Sequence, residues 1–128
     1  MEFTLKTSFP VKPEELYRTW MNSEGHGDMT GGAANISDEV GSSFDAWDNY
    51  ISGENIELEP NKRILQTWRT TEFADEDEDS ILEIFLRSIP EGTELTLVHS
   101  NLSRDAERYE KGWEEHYFAP MRAYFVKQ

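Results

Sequence analysis

The stretch that most restricts how this chain can fold is GWEEHYFAPMRAYF, residues 112–125. It lies in a segment, 105–127, whose Tyr109, Trp113, Tyr117, Met121 and Tyr124 recur at intervals of four, four, four and three, with Phe118 and Phe125 widening the same side. That period is helical and the side it builds is largely aromatic. Yet the helix contains Gly112 and Pro120, which in a helix interior cost about 1 and about 3 kcal/mol relative to alanine. Local propensity therefore does not make this helix. Burial of five or six large side chains, at about 1.5 to 3 kcal/mol each, outweighs the penalty, so the segment needs a broad apolar surface to lie on. Pro120 deletes the bond to the carbonyl of His116 and implies a bend that follows a curved surface. Gly112 implies a close approach to strands or to a ligand. At 1.5 Å per residue the rod is about 34 Å long, enough to cross a whole sheet.

Strands upstream supply that surface. EFTLKTSF alternates Phe3, Leu5, Thr7 and Phe9 against Glu2, Thr4, Lys6 and Ser8, the period of a half-buried strand. In VKPEELYRTWMNS, Pro13 and two glutamates suit a first helical turn, and Leu16, Tyr17 and Trp20 share one side, which predicts a short amphipathic helix. The glycines at 25, 27, 31, 32 and 41 then interrupt any long periodic element and leave room for one more helical turn and a short strand. A series of strands follows: SFDAW, YISGENIELEP, RILQTWRTTEF, SILEIFLRSI and TELTLVHSNL. Turn chemistry separates them at Asp48-Asn49, at Pro60-Asn61, in the acidic stretch 75–79 and at Pro90-Glu91-Gly92. The simplest topology is an antiparallel meander. With the rod across its inner face this is an α+β fold of five to seven strands, expected to form one domain over residues 1–128. In the last strand Leu95, Leu97 and His99 share a face, so His99 points with the leucines.

Composition narrows the functions such a fold can serve. A formal charge of −14, from 26 acidic against 12 basic residues, repels phosphate backbones and anionic lipid, and disfavours nucleic acid and membrane partners. The same field suits a basic protein surface or a cationic ligand, although solubility alone explains it. Without cysteine there is no disulfide, thiol nucleophile or cysteine-ligated metal. The start MEFTLKTSF lacks a basic run followed by an apolar one, and no stretch approaches the roughly 20 apolar residues of a membrane span; a soluble, cytoplasmic protein is expected.

Three stretches carry a resemblance to a known family. YISGENIELEPNKRILQTWR at 50–69, TELTLVHSNL at 93–102 and GWEEHYFAPMRAYF at 112–125 resemble, in order and spacing, the C-terminal domain of the activator of Hsp90 ATPase, a member of the START-like, helix-grip superfamily. The resemblance implies a curved antiparallel sheet wrapped around the C-terminal helix, two short helices after the first strand, and an apolar cavity between grip and helix. Gly53 matches the glycine of a family strand, Pro60 its turn, Trp68-Arg69 the end of the next strand, and Gly112-Trp113 the start of the packed helix. Where the family often has Gly-Gly before the second strand's Phe, this sequence has Ser42-Ser43-Phe44, with Gly31-Gly32 well upstream. The eukaryotic activator also has an N-terminal domain with an Asn/Trp motif, which this sequence does not contain. The superfamily serves lipid binding, hormone reception, cyclisation and chaperone regulation, so fold does not carry function with it.

Candidate chemistry is sparse. Trp20, Phe44, Trp68, Leu97, His99, Trp113, Tyr117 and Met121 are expected to face one interior and to line any ligand cavity there. His99 is either a polar anchor for a ligand carbonyl or hydroxyl, or a core histidine bonded to the backbone or a tyrosine; one buried polar group does not make a site. His26 and Asp28 lie in a glycine-rich stretch and, lacking metal-ligand spacing, are expected in a solvated loop. ADEDEDS, 74–80, fails as an EF-hand because positions six and twelve would be Ser80 and Leu86, and is expected to be a charged hairpin tip. TGGAAN has no following Lys-Ser/Thr and is no phosphate loop. The serines fall in loops or solvent-facing registers, so no nucleophile with a paired base can be named. The expectation is a non-enzymatic binding domain without metal or cofactor, taking an apolar small molecule under the C-terminal helix or a protein such as an Hsp90-type chaperone. The alternative is a small cyclase- or hydrolase-type enzyme using a cavity histidine.

Overall fold

A computed structural model describes residues 1–126. Six strands form one antiparallel sheet in the order β1-β6-β5-β4-β3-β2. The strands β2 (Ser43–Ala46), β3 (Ile51–Glu59), β4 (Arg63–Thr70), β5 (Ser80–Ile89) and β6 (Gly92–Ser100) are the expected meander, and β1 (Phe3–Phe9) closes beside β6. Turn residues act where anticipated. Trp47, Asp48 and Asn49 all have positive φ between β2 and β3, Asn61 turns β3 into β4, and Gly92, at φ 143°, follows Pro90-Glu91 where Ile89 pairs with Gly92. A Cβ on Gly92 would lie 2.2 Å from the carbonyl oxygen of Phe9, so the backbone of β1 closes on this turn.

The helix α1 (Pro13–Trp20) begins with Pro13 and buries Leu16, Tyr17 and Trp20. The second short helix that the resemblance implies is α2 (Ser23–Thr30), eight residues long where the glycine spacing by itself left room for a single turn. Asn22 caps it by accepting from Gly25 N at 2.9 Å, and Gly31, at φ 91°, ends it in the left-handed region. Gly25 is required rather than tolerated, since a Cβ there would lie 2.8 Å from the carbonyl oxygen of Thr19. The two short helices thus pack with backbone nearly touching.

The closing rod comprises α3 (Ala106–Trp113), a π-helical turn (Glu114–Phe118) and α4 (Ala119–Val126); Lys127, the last residue of the expected helix, lies outside the described residues. Ala119 N–H bonds back five residues to Glu114 O immediately before Pro120, so the missing donor falls where the ladder is already widened. Tyr109, Trp113, Tyr117, Phe118, Met121 and Phe125 are buried, and they share one core with Leu82, Ile84, Leu95 and Leu97 from the sheet. Phe125 and Phe118 meet the Phe9 ring edge-on, at 5.9 and 6.4 Å between centroids. The close approach to strands implied by Gly112 is not made: a Cβ there would meet only the His116 ring, at 4.0 Å, because Gly112 borders open space. The tight glycine is Gly53, whose added Cβ would lie 2.0 Å from the Thr67 carbonyl oxygen and 2.8 Å from the Phe44 ring.

Candidate ligand groove and the buried histidines

Between the first half of the rod and the β2–β3 corner the fold leaves an open groove of about 1140 Å³. Its floor is Trp68, Tyr109, Trp113 and Tyr117, all buried; Trp47 and Tyr50 form the facing wall; Asp105, Glu107, Arg108, Lys111, Glu115 and His116 form the rim. The wall owes its place to the left-handed residues Trp47, Asp48 and Asn49, a run of non-glycine positive φ that costs about 1–2 kcal/mol per residue. The Trp47 ring stacks edge-on to His116 at 5.7 Å, while its Nε1 is buried without a hydrogen-bond partner among the described residues.

Of the eight residues expected to line a cavity, Trp68, Trp113 and Tyr117 border the groove. Trp20, Phe44, Leu97, His99 and Met121 are buried in the core and do not border it. All eight belong to one interior, but the space opens beside the rod's first half rather than beneath its centre.

His99 is completely buried and sits at the middle of a directed chain of hydrogen bonds. Trp113 Nε1, which only donates, reaches His99 Nδ1 at 3.0 Å, so that nitrogen carries no proton. His99 Nε2 therefore carries the proton and donates to Ser80 Oγ at 2.8 Å, and Ser80 Oγ donates onward to the Trp68 carbonyl at 2.8 Å. Burial holds His99 at about 3, and its fixed acceptor role at Nδ1 agrees with a neutral ring. The proton runs from histidine towards serine, opposite to the direction by which a histidine base activates a hydroxyl. This is a core histidine, as its plainer reading had it, with serine and tryptophan for partners in place of backbone or tyrosine. Ser80 corrects the placing of the serines: it is fully buried, paired with Trp68 across the sheet and in phase with Leu82 and Ile84.

His26 does not lie in a solvated loop. It is 3% exposed on α2, its Nδ1 donating to the Trp20 carbonyl at 2.8 Å and its Nε2 accepting from Tyr117 Oη at 2.8 Å. Burial lowers His26 to about 4 and raises the Tyr117 phenol. Tyr109 Oη meets Thr70 Oγ1 at 3.0 Å. Among the described residues no three His, Asp or Glu side chains converge to hold a metal ion. In the acidic 75–79 stretch Asp77 and Asp79 pair with Arg104 and Arg69 at the entrance to β5. Among the described residues no helix is long and apolar enough to cross a membrane.

An antiparallel sheet curved around a long C-terminal helix, with two short helices after the first strand, defines a START-like, helix-grip α+β domain. A family profile described as Activator of Hsp90 ATPase homolog 1-like protein matches residues 10–126, and the chain belongs to that family. It is 30% identical over 125 residues to the human Activator of 90 kDa heat shock protein ATPase homolog 1, covering 97% of this chain and 37% of that protein. The Dictyostelium discoideum homologue is 26% identical over 110 residues, covering 85% and 29%. The chain thus spans 29–37% of the length of these curated relatives. Among solved structures, an HSP90 activator from Plasmodium falciparum superposes with a TM-score of 0.86 at 22% identity, over 96% of this chain and 94% of that one. The Aha1 dimer from Colwellia psychrerythraea gives 0.82 at 14% identity, over 98% and 97%. These two likenesses speak for the fold.

Proposed function

We propose that this chain is a non-catalytic binding domain that engages an Hsp90-type chaperone and changes its rate of ATP hydrolysis. The observation that carries this reading is the continuous match to the human activator over 97% of the chain, at 30% identity. The hydrogen-bond direction at Ser80 and His99 argues against the enzymatic alternative, because neither group is poised as a nucleophile or its base. The test is to add the purified chain to a purified Hsp90 and follow steady-state ATP hydrolysis together with sedimentation of the mixture. A saturable change in rate and a co-sedimenting complex are expected; an unchanged rate with no complex removes the reading.

A second reading is favoured by a separate feature, the groove: it binds an apolar small molecule. A concave, largely aromatic site with a few polar groups at its edge has the form of ligand pockets in general, and its volume of about 1140 Å³ lies just above their usual range of about 300–1,000 Å³. Native mass spectrometry of the chain as expressed should detect a co-purifying molecule, and a Trp113→Ala variant should lose it.

A further inference from the structure

Taking the groove as a binding site, we propose that its ligand is a hydrophobic organic cation, an ammonium head carrying an apolar tail. Three features of the groove select this chemistry. First, six of its lining residues are aromatic, Trp47, Tyr50, Trp68, Tyr109, Trp113 and Tyr117. The polar tips of three of them are engaged elsewhere: Trp113 Nε1 with His99, Tyr117 Oη with His26 and Tyr109 Oη with Thr70. What those rings offer a ligand is π surface, whose negative face attracts a cation and gives an anion nothing to bond.

Second, the positive charge at the rim is largely cancelled. The Arg108 guanidinium is held by the Glu72 carboxylate, with Tyr50 Oη at 3.4 Å. Lys111 shares the lining with three carboxylates, Asp105, Glu107 and Glu115. Third, the wall belongs to the most one-sidedly charged part of the chain. From Thr19 to Asn61 there are nine acidic residues, Asp48 beside the wall tryptophan among them, and neither Lys nor Arg. A groove of aromatic faces inside an acidic field concentrates cations and turns anions away.

The proposal rests on the groove being a binding site, and the test separates the two claims. Decyltrimethylammonium, decanol and decyl sulfate share one tail and differ in head charge. Each is titrated, below its micelle concentration, against the chain's tryptophan fluorescence, with near-UV circular dichroism confirming that the fold persists. One or two cation–π contacts should make the ammonium bind about 5- to 30-fold tighter than decanol. The margin should shrink as salt is raised from 20 to 500 mM, with decyl sulfate the weakest of the three. Trp47→Leu removes a wall that both ligands touch, and should weaken the ammonium several-fold more than decanol, closing most of the margin between them. In case that variant loses its fold, Lys111→Glu on the exposed helix face should raise ammonium affinity at low salt several-fold more than it alters decanol affinity, and the difference should vanish at high salt. Equal or tighter binding of decanol overturns the cation proposal and leaves an apolar site standing. Failure of all three to bind overturns both.

Discussion

Mild acid should destabilise this domain through its two buried histidines. Folded, His26 is held at about 4 and His99 at about 3, both by burial, against about 6.5 for a histidine in water. Their nitrogens are committed as well: protonating His99 sets a proton against the Trp113 indole N–H, and protonating His26 forces Tyr117 to reverse its bond. Unfolding releases both rings. Below about pH 6.5 the unfolded chain therefore binds up to two protons that the folded chain refuses. Stability is complete above about pH 6.5 and falls as the pH drops towards 4, with a slope approaching about 1.4 kcal/mol per pH unit for each histidine. Between pH 6.5 and 4.5 the two together remove about 4 kcal/mol, a large share of the 5–15 kcal/mol that a domain normally has. Urea unfolding at half-unit steps from pH 8 to 4.5 measures this directly. His26→Gln should halve the slope, whatever it does to stability at neutral pH. A stability that stays within about 1 kcal/mol across the range, or a slope that survives the substitution, refutes the reasoning.

Other expectations are simpler to check. Gly53→Ala must displace the Thr67 carbonyl and should lower stability by about 1–3 kcal/mol or more, read as a fall in melting temperature. Ser80→Ala leaves the His99 Nε2–H without an acceptor and should cost about 1–3 kcal/mol without weakening any ligand of the groove, since Ser80 does not line it. Phe125→Ala removes a 2% exposed ring packed on Phe9 and should cost about 3–5 kcal/mol in urea unfolding. A peptide of residues 105–126, carrying Gly112 and Pro120 and deprived of the sheet, should show little helix by far-UV circular dichroism in water.

The architecture was legible because the periods were clean. Tyr109, Trp113 and Tyr117 at steps of four specify a buried helix face, and the alternation in RILQTWRT and TELTLVHS specifies strands facing it. The resemblance implied α2, but periodicity alone left at most one turn there because Gly25 and Gly27 read as breakers, while here Gly25 lets one helix approach another. A signal for it was present in Asn22 and Gly31, a cap at each end, with His26, Met29 and Thr30 at helical spacing between them. Ser80 was also findable, being in phase with Leu82, Ile84 and Leu86, but its residue type suggested solvent. The groove was not legible. Trp113 and Tyr117 look the same in sequence as Phe118 and Met121, and nothing in the pattern shows that the β2–β3 corner, turned by three left-handed residues, meets the rod at His116 and Arg108 and leaves space beside the first pair.

The account depends on the rod being held by the sheet and by nothing in its own sequence. Native-state hydrogen exchange measures this directly, by comparing the amides of Trp113, Tyr117, Met121 and Phe125 with those of Ile84, Leu95 and Leu97 as urea is raised. Helix and strands should converge on one opening free energy and one urea dependence, because neither persists without the other. A rod that exchanges through a separate, smaller opening while the strands stay protected, or that stays protected after the strands open, contradicts it.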